Sequence, residues 1–249
     1  MSGHSKWSTI KRQKGVADAK RSSVFTKLAN TISVAARQGG GDMTMNFSLR
    51  LAIDKAKQSN MPKENIERAV KRGTGELEGA RIEEVMYEAY GPGGTGILVE
   101  AATDNRNRTS AEVKVIFNKF GGKLAEPGAV SYQFKKRGVL NFLLNDKDAD
   151  EVELAAIEAG AEDFEQHGKE LIVYSEPREI DKVRAAMIGA GFEPAEVSLS
   201  WEPSAMIKIE DEKMAGSILI LMNALEELED ITSVSSNFDI PDQLMEKLV

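Results

Sequence analysis

The amino-acid sequence predicts an α+β protein: an N-terminal three-helix unit followed by two α/β domains of the ferredoxin-like type, the middle one discontinuous. Residues 22–73 place apolar side chains at helical spacing. After Gly79 the pattern changes to short apolar runs bounded by turn residues, as in strands. From Val139 onward the predicted order is strand, helix, strand, strand, helix, strand, which is the ferredoxin-like order.

Three helices are predicted in the N-terminal unit. Serines that are good N-caps precede the first helix, and three consecutive glycines end it. A proline suited to the first helical turn opens the third helix. The predicted bounds are Ser22 or Ser23 to Gly39, Asn46 to Gln58, and Pro62 to Gly73.

The middle domain is predicted to begin with a hairpin of strands Ile82–Tyr90 and Gly96–Thr103, joined by a glycine-rich turn. The sequence Thr109-Ser110-Ala111-Glu112 has the pattern of a capping box, so we expect a helix to start there. A strand over Ala129–Phe134 and a polar connector over Lys135–Gly138 complete this part of the prediction.

The last third of the chain supplies the ferredoxin-like domain and a return to the middle domain. The predicted strands are Val139–Leu144, Ala161–Glu165, Glu170–Tyr174 and Pro194–Trp201, and the helices are Ala149–Ala159 and Arg178–Gly189. A final strand, helix and strand (Met206–Glu210, Glu212–Leu228 and Ile231–Ser236) are expected to complete the interrupted middle sheet. The predicted domains are therefore residues 1–79, residues 80–137 with 205–249, and residues 138–204.

Composition argues against several classes of protein. The chain has no cysteine and two histidines, which excludes disulfides and thiolate sites and makes a histidine metal site or a catalytic triad improbable. Its longest aliphatic run is far shorter than the roughly 18 residues of a membrane span. The first residues lack the apolar core of a secretory signal, so we expect a cytoplasmic protein.

Charge is distributed very unevenly along the chain. Residues 1–75 carry fifteen lysines and arginines against five aspartates and glutamates, a net charge of +10. Residues 76–249 carry seventeen against thirty-five, a net charge of −18, and residues 138–204 alone account for −11. This asymmetry predicts a basic end that binds a polyanion, for which nucleic acid is the commonest candidate, and an acidic domain that does not.

An N-terminal basic arm is the first candidate site. Its cations can contact phosphates, and its tryptophan ring can stack on a base or a sugar. The alternative is that the ring packs against the helical unit while the lysines are merely solvated. The candidate nucleic-acid-binding residues of this arm and the following helix are Lys6, Trp7, Lys11, Arg12, Lys14, Lys20, Arg21 and Lys27.

A second candidate site lies in the loop Thr103–Thr109, which leaves a predicted strand and enters a predicted helix. Free backbone N–H groups at a helix N-terminus favour an anion, and Arg106 and Arg108 add two guanidinium groups that suit phosphate or RNA. In the alternative interpretation the asparagines and Asp104 form the turn, and the arginines pair with nearby carboxylates.

Several blocks of the sequence together resemble the YebC family over nearly the whole chain. They are Gly3–Trp7, Ala17–Arg21, Phe25–Leu28, Gly39–Asp42, Leu49–Lys57, Asn60–Gly75, Tyr90–Gly94 and Thr103–Thr109. Ser8-Thr9 and Phe47 depart from the family pattern, in which Ala-Asn and Pro are expected. The resemblance implies one helical and two α/β domains. It also implies a DNA-binding transcriptional regulator or, as in the mitochondrial activator of cytochrome oxidase translation, a factor acting on translation.

Three functions therefore remain open. The first is a non-enzymatic regulator that binds DNA. The second is a ribosome-associated factor that binds ribosomal RNA and relieves synthesis stalled on proline-rich stretches. The third is a metal-dependent nuclease, which the histidine count and the lack of a ligand motif disfavour. We expect no cofactor, no metal, no membrane association and no small-molecule substrate.

Overall fold

The computed structural model describes residues 21–79, 81–144 and 148–248. They form two compact units. The smaller unit is Phe134–Ser204, and the larger unit combines the described residues up to Gln133 with those from Ala205 onward. Within the described ranges, no helix has the length and apolar character that crossing a membrane requires.

The larger unit begins with three helices, as predicted. They are α1 (Arg21–Gly39), α2 (Phe47–Gln58) and α3 (Lys63–Thr74). Asn46 caps α2, since its side chain accepts a hydrogen bond from the Leu49 N–H at 3.1 Å and donates to Ala35 O at 2.8 Å. The apolar faces of the three helices form one buried cluster centred on Ile32, Leu49, Ile53 and Ile66.

Helices α1 and α3 approach closely at Gly73. A Cβ atom at this position would lie 2.4 Å from Ser33 O and 2.7 Å from Ala36 Cβ. Such distances are shorter than van der Waals contact, so a side chain would push the two helices apart. Gly75, with φ of +83°, then ends α3 in the left-handed conformation that glycine adopts readily.

A four-stranded antiparallel sheet follows in the larger unit. The elements of this part are, in chain order, β1 (Glu83–Tyr90), β2 (Gly96–Thr103), α4 (Arg106–Lys119), β3 (Lys123–Leu124), β8 (Ile207–Lys208), α7 (Glu212–Glu227), β9 (Ile231–Ser236), β10 (Phe238–Asp239) and α8 (Asp242–Leu248). The strand order in the sheet is β3-β1-β2-β9. Strand β9 pairs with β2 in the register Val99↔Val234. The segment after Ala205 thus completes the sheet, which confirms that this sheet is interrupted in the sequence.

The core of this sheet is formed with α4 and α7. Their buried apolar side chains share one cluster with the central strands, and its members include Val99, Val113, Phe117, Leu219, Met222 and Val234. Strand β8, by contrast, does not join the sheet as predicted, because it pairs in parallel with β10 instead.

The smaller unit has the ferredoxin-like order. Its elements are β4 (Phe134–Leu143), α5 (Ala149–Ala159), β5 (Asp163–His167), β6 (Glu170–Ser175), α6 (Ile180–Gly189) and β7 (Glu196–Pro203). The strands pair antiparallel in the order β5-β6-β4-β7. Asp148 caps α5 by accepting from the Asp150 N–H at 3.1 Å. The alternation from Val139 onward therefore predicts the order of elements in this unit correctly.

The predicted strand Ala129–Phe134 and the predicted connector Lys135–Gly138 are both wrong. Strand β4 starts at Phe134 and pairs with β7 from Phe134↔Pro203 through Gly138↔Leu199, so the connector is part of a strand. Its polar composition is misleading because the backbone pairs within the sheet while the charged side chains find carboxylates next to the ends of neighbouring strands. The ammonium group of Lys135 lies 2.9 Å from Glu162 Oε1 and 2.7 Å from Glu176 Oε1.

Residues before β4 form turns and a short 3-10 helix (Ser131–Gln133) instead of a strand, and a buried carboxylate takes up their backbone donors. Glu88 of β1 accepts hydrogen bonds from the N–H groups of Gly128, Val130 and Ser131 at 2.7, 2.6 and 2.8 Å. These donors are therefore unavailable to a neighbouring strand. The short strands β3 and β10 were not predicted either, since two residues give too little alternation to recognise, and the seven-residue helix α8 was also missed.

Candidate nucleic-acid interface

The loop between β2 and α4 differs from its prediction in where the helix begins. Helix α4 starts at Arg106, and Asn105 is its N-cap, with its side chain accepting from the Arg108 N–H at 3.1 Å. The prediction that Thr109 caps this helix is wrong. Thr109 is buried inside the helix, and its hydroxyl contacts the carboxylate of Asp230. Arg106 and Arg108 consequently lie in the first helical turn instead of in a loop before it.

Asp230, which immediately precedes β9, organises this helix N-terminus. Its Oδ2 lies 2.6 Å from Thr109 Oγ1 and 3.0 Å from Thr103 Oγ1, both within hydrogen-bond distance, and it accepts from Arg108 Nη2 at 2.7 Å. The Asp230 backbone carbonyl also accepts from the Ala102 N–H at 2.8 Å. The C-terminal segment of the chain therefore holds the loop at the end of β2.

The charge of Asp230 is stabilised by these partners. Burial raises the pKa of its carboxyl group, but hydrogen bonds from Thr109, Arg108 and Thr103 outweigh that effect and lower it overall. Asp230 reciprocally raises the pKa of the Arg108 guanidinium. The two groups form a charged pair joining distant parts of the sequence.

The two arginines of the first turn have different environments. Arg108 pairs with Asp230 and, at 2.9 Å, with Asp104, while 46% of its side chain remains exposed. Arg106 is also exposed, and its guanidinium forms no hydrogen bond or ion pair with another residue of the described ranges. The alternative interpretation, in which nearby carboxylates pair with the arginines, thus describes the contacts of Arg108 but not those of Arg106.

The helical part of the larger unit reaches the same end of β2. Asn30 of α1 donates to Ala102 O at 3.2 Å, and its Oδ1 accepts from Arg72 Nη2 of α3 at 2.9 Å. Arg72 Nε also donates to Ser33 Oγ at 3.1 Å. Sequence patterns did not indicate Arg72 as a site residue, because its partners lie far from it along the chain.

Of the arm and helix residues predicted to bind nucleic acid, the structure places only Lys27. Its ammonium group donates to the backbone carbonyl of Glu226, at the end of α7. Lys27 thus links α1 to the segment that completes the sheet. The side chain of Arg21 and all of Lys6, Trp7, Lys11, Arg12, Lys14 and Lys20 lie outside the described part of the molecule.

An open cleft of about 520 Å³ lies beside α1 and α3. Arg37, Arg72 and Arg81 contribute to its lining, together with Glu78. Arg37 donates to Ile82 O at 3.1 Å, and Arg81 Nε lies 3.8 Å from Glu83 Oε1. Among the described residues, no group of three or more histidines and carboxylates is arranged to hold a metal ion.

The fold and this interface define a class: an α+β protein in which a helical unit, an interrupted sheet and a ferredoxin-like unit accompany an arginine-bearing helix N-terminus. The chain belongs to the TACO1/YebC family. The profile of the TACO1/YebC N-terminal domain matches residues 5–76, and that of the second and third domain matches residues 82–238. The family resemblance noted in the sequence is therefore confirmed.

Its relatives are similar over their full length. A "probable transcriptional regulatory protein" of Halothermothrix orenii is 48% identical, with 100% of this chain and 99% of that protein aligned. A protein of the same name from Trichlorobacter lovleyi is 49% identical over 100% of both. The crystal structure of a conserved hypothetical protein from Aquifex aeolicus is 44% identical and has a TM-score of 0.84, covering 90% of this chain and 93% of that one.

Proposed function

We propose that this protein is a non-enzymatic regulator of gene expression that binds nucleic acid. It is located in the cytoplasm and regulates transcription by binding DNA. The names of its relatives support the regulatory role. The observation that carries the proposal is Arg106, an exposed arginine in the first turn of a helix that the buried Asp230 holds in place.

Phosphate is the ligand group that this arrangement suits. The N–H groups of a first helical turn have no partner within the helix, and the helix dipole favours an anion there. Asn105 satisfies the N–H of Arg108. An arginine fork beside such a turn adds two directed, charge-assisted donors. If these donors contact phosphate, they fix the protein's position on a nucleic-acid backbone.

The basic arm is proposed as the larger source of affinity. The cations that would contact phosphates are Lys6, Lys11, Arg12, Lys14, Lys20, Arg21 and Lys27, and the ring of Trp7 would stack on a base or a sugar. Counterion release accounts for most of such sequence-independent binding.

We propose that the chain has three domains, residues 1–79, residues 80–137 with 205–249, and residues 138–204. The acidic domain, residues 138–204, would not contact phosphate.

Titration of labelled duplex DNA and ribosomal RNA with wild-type protein and Arg106→Ala tests this function. We expect Arg106→Ala to weaken binding and to reduce the slope of log K against log salt by about 0.9 for duplex DNA or 0.7 for a single strand. The melting temperature should not change, since an exposed substitution usually alters stability by less than about 0.5 kcal/mol. Wild-type affinity and slope in Arg106→Ala would contradict the assignment of this residue.

Two further measurements separate the alternatives. Preferential binding to ribosomal RNA, with RNase-sensitive sedimentation with ribosomes, would replace the DNA function by the translational one. Incubation with Mg²⁺ or Mn²⁺ and labelled nucleic acids tests the nuclease alternative, and we expect no cleavage.

A further inference from the structure

Asp104 is an exposed carboxylate that contacts Arg108 and lies near the end of β2 to which Arg72 is tethered. Its Oδ1 accepts from Arg108 Nη2 at 2.9 Å, and 39% of its side chain is exposed. It follows β2 directly, two residues after the carbonyl that Asn30 binds. Because Asn30 also accepts from the guanidinium of Arg72, one side chain connects Arg72 of α3 to the end of β2, two residues before Asp104.

Arg72 has neutral hydrogen-bond partners, and the charge of Asp104 acts on it electrostatically. Burial lowers the pKa of the Arg72 guanidinium overall, and the negative charge of Asp104 opposes that effect without cancelling it. The two groups to which Arg72 donates, Ser33 Oγ and Asn30 Oδ1, carry no charge. A negative group at the position of Asp104 therefore interacts with Arg72 and Arg108 together.

Arg108 is held by two carboxylates of unequal burial. Asp230 is buried and has two threonine hydroxyls within hydrogen-bond distance, so its contact with Arg108 is part of the interior. Asp104 is exposed and can exchange Arg108 for water at little cost. If the Asp104 carboxylate left its contact with Arg108, Asp230 would still keep Arg108 in place. The guanidinium of Arg108 could then contact another anion where Asp104 had been.

We propose that Asp104 occupies a phosphate subsite formed by Arg72 and Arg108, and that a backbone phosphate of bound nucleic acid takes the place of its carboxylate. This inference rests on the proposed function and adds Arg72 to the interface. It assigns Asp104 the role of a competitor: the carboxylate neutralises the two arginines in the free protein and weakens binding.

The variant Asp104→Asn tests the proposal, with Glu112→Gln as the matched control. Both changes remove one negative charge, and Glu112 lies on the same helix as Arg108 without a hydrogen bond or ion pair to another described residue. We expect Asp104→Asn to bind labelled duplex DNA or RNA about two- to fivefold more tightly than Glu112→Gln, as loss of a competing exposed ion pair would produce.

The same comparison in an Arg108→Gln background completes the experiment. There the gain from Asp104→Asn should fall to that of Glu112→Gln, because the subsite has lost one of its arginines. Thermal melts of each variant establish that it is folded at the titration temperature. Wild-type binding with equal affinities for Asp104→Asn and Glu112→Gln would overturn this inference alone, whereas wild-type protein that binds neither nucleic acid would contradict the proposed function as well.

Discussion

At the residue scale, two buried carboxylates organise the loops of the larger unit. Asp230 holds the first turn of α4 through Arg108 and Thr109, and Glu88 holds the loop before β4 through three backbone N–H groups. Burying a carboxylate is costly unless its oxygens accept hydrogen bonds. Both carboxylates meet that condition, so each stabilises a loop conformation that apolar packing alone does not define.

Glu88 predicts a specific dependence of stability on pH. Burial raises the pKa of its carboxyl group, but the N–H groups of Gly128, Val130 and Ser131 together lower it below the ordinary value of 4.5. A lowered folded-state pKa contributes stability above the unfolded pKa, and that stability is lost as pH falls through the folded value.

We therefore expect the free energy of unfolding to decline below about pH 4.5 in the wild type and to decline less steeply in Glu88→Gln. At neutral pH, Glu88→Gln should already be less stable by roughly 1–3 kcal/mol, since hydrogen bonds to a charged group are lost. Urea unfolding between pH 3 and 7 measures both quantities. Parallel pH profiles for the two proteins would show that Glu88 does not contribute through its charge.

At the element scale, the close contact of α1 with α3 determines where Arg72 lies. Gly73 is the next residue, and it allows the backbone of α3 to pack directly against Ser33 O. Ser33 Oγ in turn accepts from Arg72 and donates to Ala69 O at 2.8 Å. Packing of the two helices therefore also fixes the position of the Arg72 guanidinium.

Gly73→Ala should destabilise the helical part of the larger unit by about 1–3 kcal/mol, because the new methyl group overlaps Ser33 O and Ala36 Cβ. Gly189→Ala is the matched control, since a Cβ at that helical position meets nothing within 4 Å. Alanine has the higher helix propensity, so the control should be neutral or slightly stabilising. Thermal melts compare the two, and equal melting temperatures would contradict the close packing at Gly73.

At the scale of the whole molecule, charge is divided unevenly between two regions of the chain. Residues 1–75 have a net charge of +10, whereas residues 138–204, which fall within the smaller unit, have a net charge of −11. Repulsion between that acidic region and phosphate acts over roughly a Debye length, about 8 Å at physiological salt. We expect nucleic acid to approach the basic end and to avoid the ferredoxin-like unit.

Replacing Lys11, Arg12 and Lys14 by Glu should weaken nucleic-acid binding and flatten its salt dependence by about 0.9 per lost duplex contact. The matched control replaces three cations of the acidic unit by Glu and changes the net charge by the same amount; they are Lys169, Arg178 and Lys182. That control should retain a slope close to the wild-type value if contacts, and not net charge, determine affinity. An unchanged slope in the arm variant would refute the assignment of the arm.

The sequence by itself determined the secondary structure wherever one face of an element is buried. The apolar spacing of α1, α2 and α3 and the alternation from Val139 onward are local consequences of burying one face, so they can be recognised without coordinates. The charge of the arm and the arginines of the first turn of α4 can also be recognised in the sequence, because each is a property of a short segment.

Only the tertiary structure decided the contacts that join distant segments. Strand β4 begins at Phe134 because its backbone pairs with the distant strand β7 from that residue onward, whereas local polarity had indicated a connector. Arg108 meets Asp230 across more than a hundred residues, and Asn30 connects Arg72 to the Ala102 carbonyl at the end of β2. Pairing of this kind depends on distances in the folded chain, which the spacing of residues along a sequence does not contain.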